Sequence, residues 1–118
     1  MHRILPQPVL DNLTSNDHDP PMPAGVLTIE IRIPLAESLK DKRQLLRHLL
    51  GTARARYQVA AAEVDLQDLH QHALLSFAAV GASVTHVAEI LDTVERFVWS
   101  DPRVTVLSSA RHWLDLDP

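Results

Sequence analysis

The stretch Leu27-Thr28-Ile29-Glu30-Ile31-Arg32-Ile33-Pro34 decides how this chain folds. Large aliphatic residues alternate with polar residues along it, and this period of two is typical of a strand with one buried and one exposed face. Proline has no amide hydrogen for a strand ladder, so we expect the strand to end at Pro34. The sequence therefore predicts an early, half-buried strand.

A helix and two further strands are predicted next. Ser38-Leu39-Lys40-Asp41 resembles a capping box, in which the serine hydroxyl accepts a hydrogen bond from a free amide of the first turn. Leucines at helical spacing extend this helix to about Arg56. The segments 58–64 and 73–80 read as strands, and the polar segment 65–72 joins them.

The second half of the domain repeats the order of helix and strand. Ser83 precedes apolar residues at helical spacing, Ser100-Asp101-Pro102 ends that helix, and a last strand runs from Val104 to about Trp113. The order β-α-β-β-α-β predicts an α+β fold, the ferredoxin-like βαββαβ sandwich, with a four-stranded antiparallel sheet and two helices on one face. Right-handed crossovers are further expected to place the first and third strands side by side and parallel.

The predicted domain covers residues 25–114 and leaves an N-terminal arm, 1–24, and a C-terminal tail, 115–118. Five of the eight prolines lie in the arm, among several Asn and Asp residues, so we expect it to be flexible. An alternative is that translation starts at Met22, directly before the first strand. The 118 residues suit one domain, which at this size buries roughly two thirds of its surface.

Composition excludes several classes of protein. The absence of cysteine excludes disulfide scaffolds, thiol nucleophiles and cysteine zinc sites, and it agrees with a reducing, cytoplasmic setting. No apolar run approaches the ~20 residues of a membrane helix. The three glycines stand alone, so no phosphate-binding glycine loop is present, and no serine has the context of a nucleophile elbow. These observations favour a binding protein over an enzyme.

Positive charge is concentrated in the first helix, although the net charge of the chain is −4. The eleven Lys and Arg residues include six in one segment, namely Lys40, Lys42, Arg43, Arg47, Arg54 and Arg56. Four of the six fall within about 60° on the helical wheel, while Lys42 and Arg56 lie on the opposite flank of the apolar stripe. Because the helix dipole disfavours cations in the first turn, helix stability does not call for them there.

Two interpretations of this basic flank remain open. Glu89, Asp92 and Glu95 of the second helix could pair with it if the helices lie side by side. Alternatively, a row of cations at helical spacing binds an anionic partner, RNA or the small ribosomal subunit, by following its phosphates.

A second candidate site is the polar connection between the second and third strands. Asp65, Asp68, His70 and His72 could together hold a divalent transition metal, because the two histidines point to one side at strand spacing. The same residue types are common in exposed hairpin connections, which is the simpler interpretation, with no cofactor.

The sheet face opposite the helices is predicted to carry small residues, among them Ala60, Ala62, Ser76 and Ala78. Such a flat, weakly apolar face predicts a homodimer formed by two sheets.

Two motifs give the chain a family resemblance. Ser38-Leu39-Lys40-Asp41-Lys42-Arg43 at the helix start and Ala62-Glu63-Val64-Asp65-Leu66-Gln67-Asp68 after the second strand, with Gly25-Val26-Leu27 before them, resemble the YlxP-like family of small bacterial proteins. The resemblance spans roughly residues 25–114. It implies the ferredoxin-like fold and a suspected role with RNA or the ribosome, without an established reaction.

The resemblance also marks particular positions. It singles out Lys40, Lys42 and Arg43 and, in the acidic turn, Glu63, Asp65, Gln67 and Asp68. A structural explanation stays open for both groups, since the acidic turn could pair back to Lys42 or Arg43. The chain departs from many relatives in carrying His70 and His72 where they have a tryptophan and a basic residue.

Overall fold

The computed structural model describes residues 23–114. The predictions of a flexible arm and of a start at Met22, and the C-terminal tail, lie outside the described residues. The elements are β1 Ala24–Arg32, α1 Leu39–Tyr57, β2 Ala60–Asp65, β3 His72–Val80, α2 Val84–Trp99 and β4 Thr105–Leu114. Within this part of the chain, neither helix has the length and apolar character needed to cross a membrane.

The four strands form one antiparallel sheet in the order β2-β3-β1-β4, with both helices on one face. This arrangement confirms the predicted ferredoxin-like βαββαβ fold. The expectation that the first and third strands are parallel is wrong, because β1 and β3 pair antiparallel from Ala24↔Val80 to Arg32↔His72. The two strands that each helix connects are parallel to each other, but an antiparallel strand separates them. Between β1 and β2 lies β3, and between β3 and β4 lies β1.

The alternation in β1 sets the division between core and surface. Leu27, Ile29 and Ile31 are completely buried beneath the helices and lie opposite Phe77, Leu75 and Ala73 of β3. The helices complete the core with residues at helical spacing, namely Leu46, Leu49, Leu50 and Ala53 from α1 and Val87, Leu91, Val94 and Val98 from α2. Burial of these side chains drives folding, at about 25 cal/mol for each Å² of apolar surface removed from water.

The other face of the sheet carries no helix in the described structure. Its centre is built from small side chains, and the Thr28 and Ser76 hydroxyls lie 3.2 Å apart there. Ala62 lies beside Ser76 on β2, and Ala110 lies beside Thr28 on β4. We call this surface the open face.

Both helices begin at a serine, as the sequence predicts. Ser38 Oγ accepts a hydrogen bond from the Asp41 amide at 3.0 Å, and Ser83 Oγ does the same for His86 at 3.1 Å. The Asp41 carboxylate in turn accepts a hydrogen bond from the Glu37 amide at 3.0 Å. The start of α1, which carries the first basic residues, is therefore held in place by its own cap.

We expect Ser38→Ala to lower the free energy of unfolding by about 1 kcal/mol, because the Asp41 amide loses its acceptor. Ser38→Gly is the matched control and should lose only a few tenths of a kcal/mol, since glycine tolerates the extended cap backbone and leaves the amide open to water. Urea denaturation measures both. Equal stability of Ser38→Ala and the wild type would show that the cap contributes nothing.

Candidate anion-binding surface on the first helix

Helix α1 packs against β2 and turns a row of cations to solvent. We define the basic ridge as Lys40, Arg43, Arg47 and Arg54, all of which are exposed. Lys40, Arg43 and Arg47 make no side-chain hydrogen bond or ion pair with any residue in 23–114. Their charges are therefore free for a partner from outside the domain.

Arg54 shows which way the basic ridge faces. Its Nε and Nη2 atoms donate to the carbonyl oxygen of Ala61, at 3.1 and 2.6 Å, and Ala61 lies on the edge strand β2. The opposite flank of α1 faces the second helix, where Tyr57 contacts Phe97 edge to face with ring centres 5.5 Å apart. The ridge thus runs along the outer edge of the sheet, away from α2.

Two of the three acidic residues of α2, Asp92 and Glu95, are engaged elsewhere, while Glu89 is exposed and forms no ion pair within residues 23–114. Asp92 and Glu95 accept hydrogen bonds from Arg111 of β4 at 2.7 and 3.0 Å, and Glu95 also accepts from Ser109 at 2.8 Å. Burial alone would lower the pKa of Arg111, but these two carboxylates raise it above its usual value. The alternative in which α2 neutralises the basic ridge is therefore wrong for Asp92 and Glu95, and among the described residues no ion pair joins α1 to α2.

A second local pair closes the end of α2. Asp101 binds the guanidinium of Arg103 with both carboxylate oxygens, at 3.0 and 2.7 Å. Hydrogen bonding to Arg103 holds the pKa of Asp101 below its usual value of 3.8, so the pair is fully charged at neutral pH. Arg103 also reaches His48 Nδ1 of α1 at 3.3 Å.

Lys42 is the exception among the six predicted cations. Its side chain is 1% exposed, and its ammonium donates to three carbonyl oxygens, of Leu66 at 2.9 Å, Leu69 at 2.6 Å and His72 at 2.7 Å. The prediction that Lys42 binds an external anion is corrected by this burial, because its donors are already occupied inside the domain. The sequence contains an indication of this burial, because Lys42 precedes Leu46 by four residues and therefore lies in line with the buried residues of α1.

Glu63 completes the cage around Lys42. Its Oε2 lies 2.6 Å from the lysine Nζ, and the Glu63 side chain is 17% exposed. An ammonium has three N–H donors, and the three carbonyls take them, so Glu63 contributes charge attraction rather than a fourth hydrogen bond. The prediction that the acidic turn pairs back to the helix is confirmed for this pair.

The rest of the acidic turn divides into structural and free residues. Asp65 Oδ1 accepts from the amide of Leu66, which has a left-handed φ of 64°. Gln71, which no sequence pattern singled out, donates to the carbonyls of Pro34 and Ala36 and thereby ties this turn to the β1–α1 loop. Two other marked residues, Gln67 and Asp68, are exposed, without a side-chain hydrogen bond to the described part of the chain.

The structure does not gather the four candidate metal ligands. His72 lies on β3 with its carbonyl bound to Lys42, while Asp68 and His70 lie in the exposed turn. Between residues 23 and 114, no three His, Cys, Asp or Glu side chains come together as a set that could hold a metal ion.

Comparisons with known proteins identify relatives without a described activity. A family model described as "Protein of unknown function (DUF503)" matches residues 24–111. The chain is also similar to the uncharacterized protein YlxP of Bacillus subtilis (strain 168), with 30% identity over 89 residues, which cover 75% of this chain and 97% of the relative. The family model includes both motifs and covers all but the last three residues of β4.

We expect Lys42→Met to lower the free energy of unfolding by about 3–5 kcal/mol, because it leaves the buried carbonyls and the Glu63 carboxylate without their cation. Lys40→Met is the matched control at an exposed position of the same helix, and it should change stability by no more than about 0.5 kcal/mol. Urea denaturation of both variants tests the cage. Similar destabilisation of the two variants would contradict it.

Proposed function

The chain belongs to the DUF503 family of proteins of unknown function, and we propose that it binds the phosphate backbone of RNA through the basic ridge of α1. One observation carries the proposal. Lys40, Arg43 and Arg47 form no ion pair with any residue in 23–114, and Asp92 and Glu95 of α2 are paired with Arg111 of β4 instead.

The dimensions of the basic ridge suit a polyanion. From Lys40 to Arg54 it extends about 21 Å along the helix, at ~1.5 Å per residue. Arg43 and Arg47 can each bind a phosphate through two parallel hydrogen bonds, which neutral side chains cannot do with similar strength. The net charge of −4 means that attraction is confined to this surface and does not come from the protein as a whole.

Recognition of bases on the sheet receives no comparable support. Sheets that read RNA stack bases on exposed aromatic side chains of their central strands. Here Phe77 of β3 is completely buried on the helix side, and small residues occupy the middle of the open face. Phosphate contacts without base reading give broad affinity for RNA, and the small ribosomal subunit in the cytoplasm is the partner we favour.

We expect Arg43→Gln/Arg47→Gln to weaken binding to total RNA and to small ribosomal subunits, measured between 50 and 200 mM salt. The slope of log affinity against log salt should become shallower by about 1 for each phosphate that the variant no longer neutralises. Arg96→Glu on α2 is the matched control, because it changes the net charge by the same two units at an exposed site on the other helix. Equal weakening in both variants, or no binding by the wild type, would contradict the proposal.

A second candidate function is a dimeric interaction module assembled through the open face. Glu30 and Arg32 are neighbours on that face of β1, so a second copy related by a two-fold axis can place each arginine against the other copy's glutamate. The small side chains around Thr28 and Ser76 would let two sheets approach closely. A metal-binding or metal-dependent activity of the acidic turn gains no such support.

We expect light scattering at micromolar concentration to give twice the chain mass of 13.2 kDa. Ala62→Arg, on the open face beside Ser76, should give the monomer mass, because a buried arginine without a partner opposes association. Thr85→Arg, exposed at the start of α2, should leave the dimer intact. A wild-type monomer would exclude this candidate and leave the RNA proposal untouched.

A further inference from the structure

A shallow depression of 490 Å³ lies on the outward side of α1, next to the basic ridge. Its lining comes entirely from this helix and contains no carboxylate: Arg47, His48, Gly51, Thr52, Ala55 and Arg56. Arg47 belongs to the ridge, whereas Arg56 was predicted on the opposite flank. The depression therefore lies between Arg47 and Arg56, which the helical wheel places on different flanks of α1.

Gly51 forms the floor of this depression, in the middle of a helix of 19 residues. Glycine is a poor helix former, and it is usually retained where a side chain would clash or where φ is positive. Neither reason applies here. A Cβ built at Gly51 would have no heavy atom within 4 Å, and no glycine of the described chain has a positive φ. The fold of the isolated chain would accept a side chain at this position.

The walls of the depression are held in place by contacts outside it. The Arg56 guanidinium carbon lies 5.4 Å from the centre of the Tyr57 ring, which in turn packs against Phe97. On the same side of the helix, His48 contacts Arg103 at 3.3 Å. Two arginines thus flank an open floor of backbone and small side chains, a shape and charge suited to an anion of modest size.

We propose that a phosphodiester group of the bound RNA seats over Gly51, so that the RNA backbone crosses α1 from the basic ridge to Arg56. This inference rests on the proposed function and adds the path of the RNA to it. A side chain at position 51 would fill the space that the phosphate needs. The proposal therefore explains why glycine stands at this position, which packing within the domain does not explain. Phosphate is the ligand class because arginine binds phosphate with charge-assisted, often bidentate hydrogen bonds, and arginines line both ends of the depression.

The test compares Gly51→Leu with Gln44→Leu, using total RNA and small ribosomal subunits as probes. Gln44 is exposed two turns earlier on the same outward side of α1 and does not line the depression. We expect Gly51→Leu to raise the thermal midpoint or leave it unchanged, because leucine is the better helix former and finds open space. The same variant should bind RNA about tenfold more weakly, the effect expected for one charge-assisted hydrogen bond, while Gln44→Leu binds like the wild type.

Three results would overturn the inference, and each is distinct from failure of the basic ridge. Unchanged RNA binding by Gly51→Leu, with weakened binding by Arg43→Gln/Arg47→Gln, keeps the ridge and removes the depression from the path. Equal weakening by Gly51→Leu and Gln44→Leu shows that any added leucine on this side interferes. A change of oligomeric state in Gly51→Leu with RNA binding intact assigns the depression to an interface between copies.

A direct readout uses the fact that the chain has no cysteine. In the variants Ala55→Cys and Ala110→Cys, which keep Gly51, total RNA should slow alkylation of the thiol at position 55, in the lining of the depression, and leave that at position 110, on the open face, unaffected. Equal rates with and without RNA at position 55, under conditions where RNA is bound, would refute the seating of a phosphate there.

Discussion

The caged ammonium of Lys42 is the constraint on which the basic end of the domain depends. Two carbonyls of the β2–β3 connection and the carbonyl of His72, the first residue of β3, accept hydrogen bonds from a single Nζ, and Glu63 balances its charge. A buried cation without these partners would be strongly unfavourable, so the turn and the start of α1 must adopt their positions together. Gln71 extends the same tie to the β1–α1 loop. Lys42 and Gln71 thereby hold together α1, the β2–β3 connection and the β1–α1 loop, and so fix the direction in which the basic ridge faces.

This constraint divides the charged residues of the two sequence motifs into a buried group that stabilises the domain and an exposed group that does not. Lys42 and Glu63 satisfy each other inside the domain, whereas Lys40 and Arg43, on either side of Lys42 in the sequence, remain exposed without a partner among the described residues. Asp92 and Glu95 of α2 bind Arg111 on β4, the edge strand farthest from β2. Contacts within residues 23–114 therefore account for the first group and not for the second, which is why a polyanion is proposed for the ridge.

Local patterns in the sequence predict most of the fold, because period and capping are local properties. The alternation around Ile29 and the serine caps at Ser38 and Ser83 reappear in the structure. The predicted parallel direction of β3 relative to β1 was wrong, because β3 pairs antiparallel with β2, which itself runs parallel to β1. The prediction for Lys42 was wrong for another reason. Its positive charge was given more weight than its position in the buried stripe of α1. The carbonyls that accept its hydrogen bonds lie in or directly after the β2–β3 connection, whose path the sequence does not reveal. The space over Gly51 likewise requires coordinates.

The central claim is that α1, and not the sheet, is the surface that meets RNA. An amide NMR titration of the ¹⁵N-labelled protein with total RNA fragments tests it most directly, because every described residue except proline reports separately. The account predicts that the amide chemical-shift changes are concentrated at exposed positions of residues 40–56 and are largest at Arg43, Arg47 and Gly51. These changes should become smaller as the salt concentration rises. Shifts concentrated on the open face, around Thr28 and Ser76, with α1 unchanged, would contradict it.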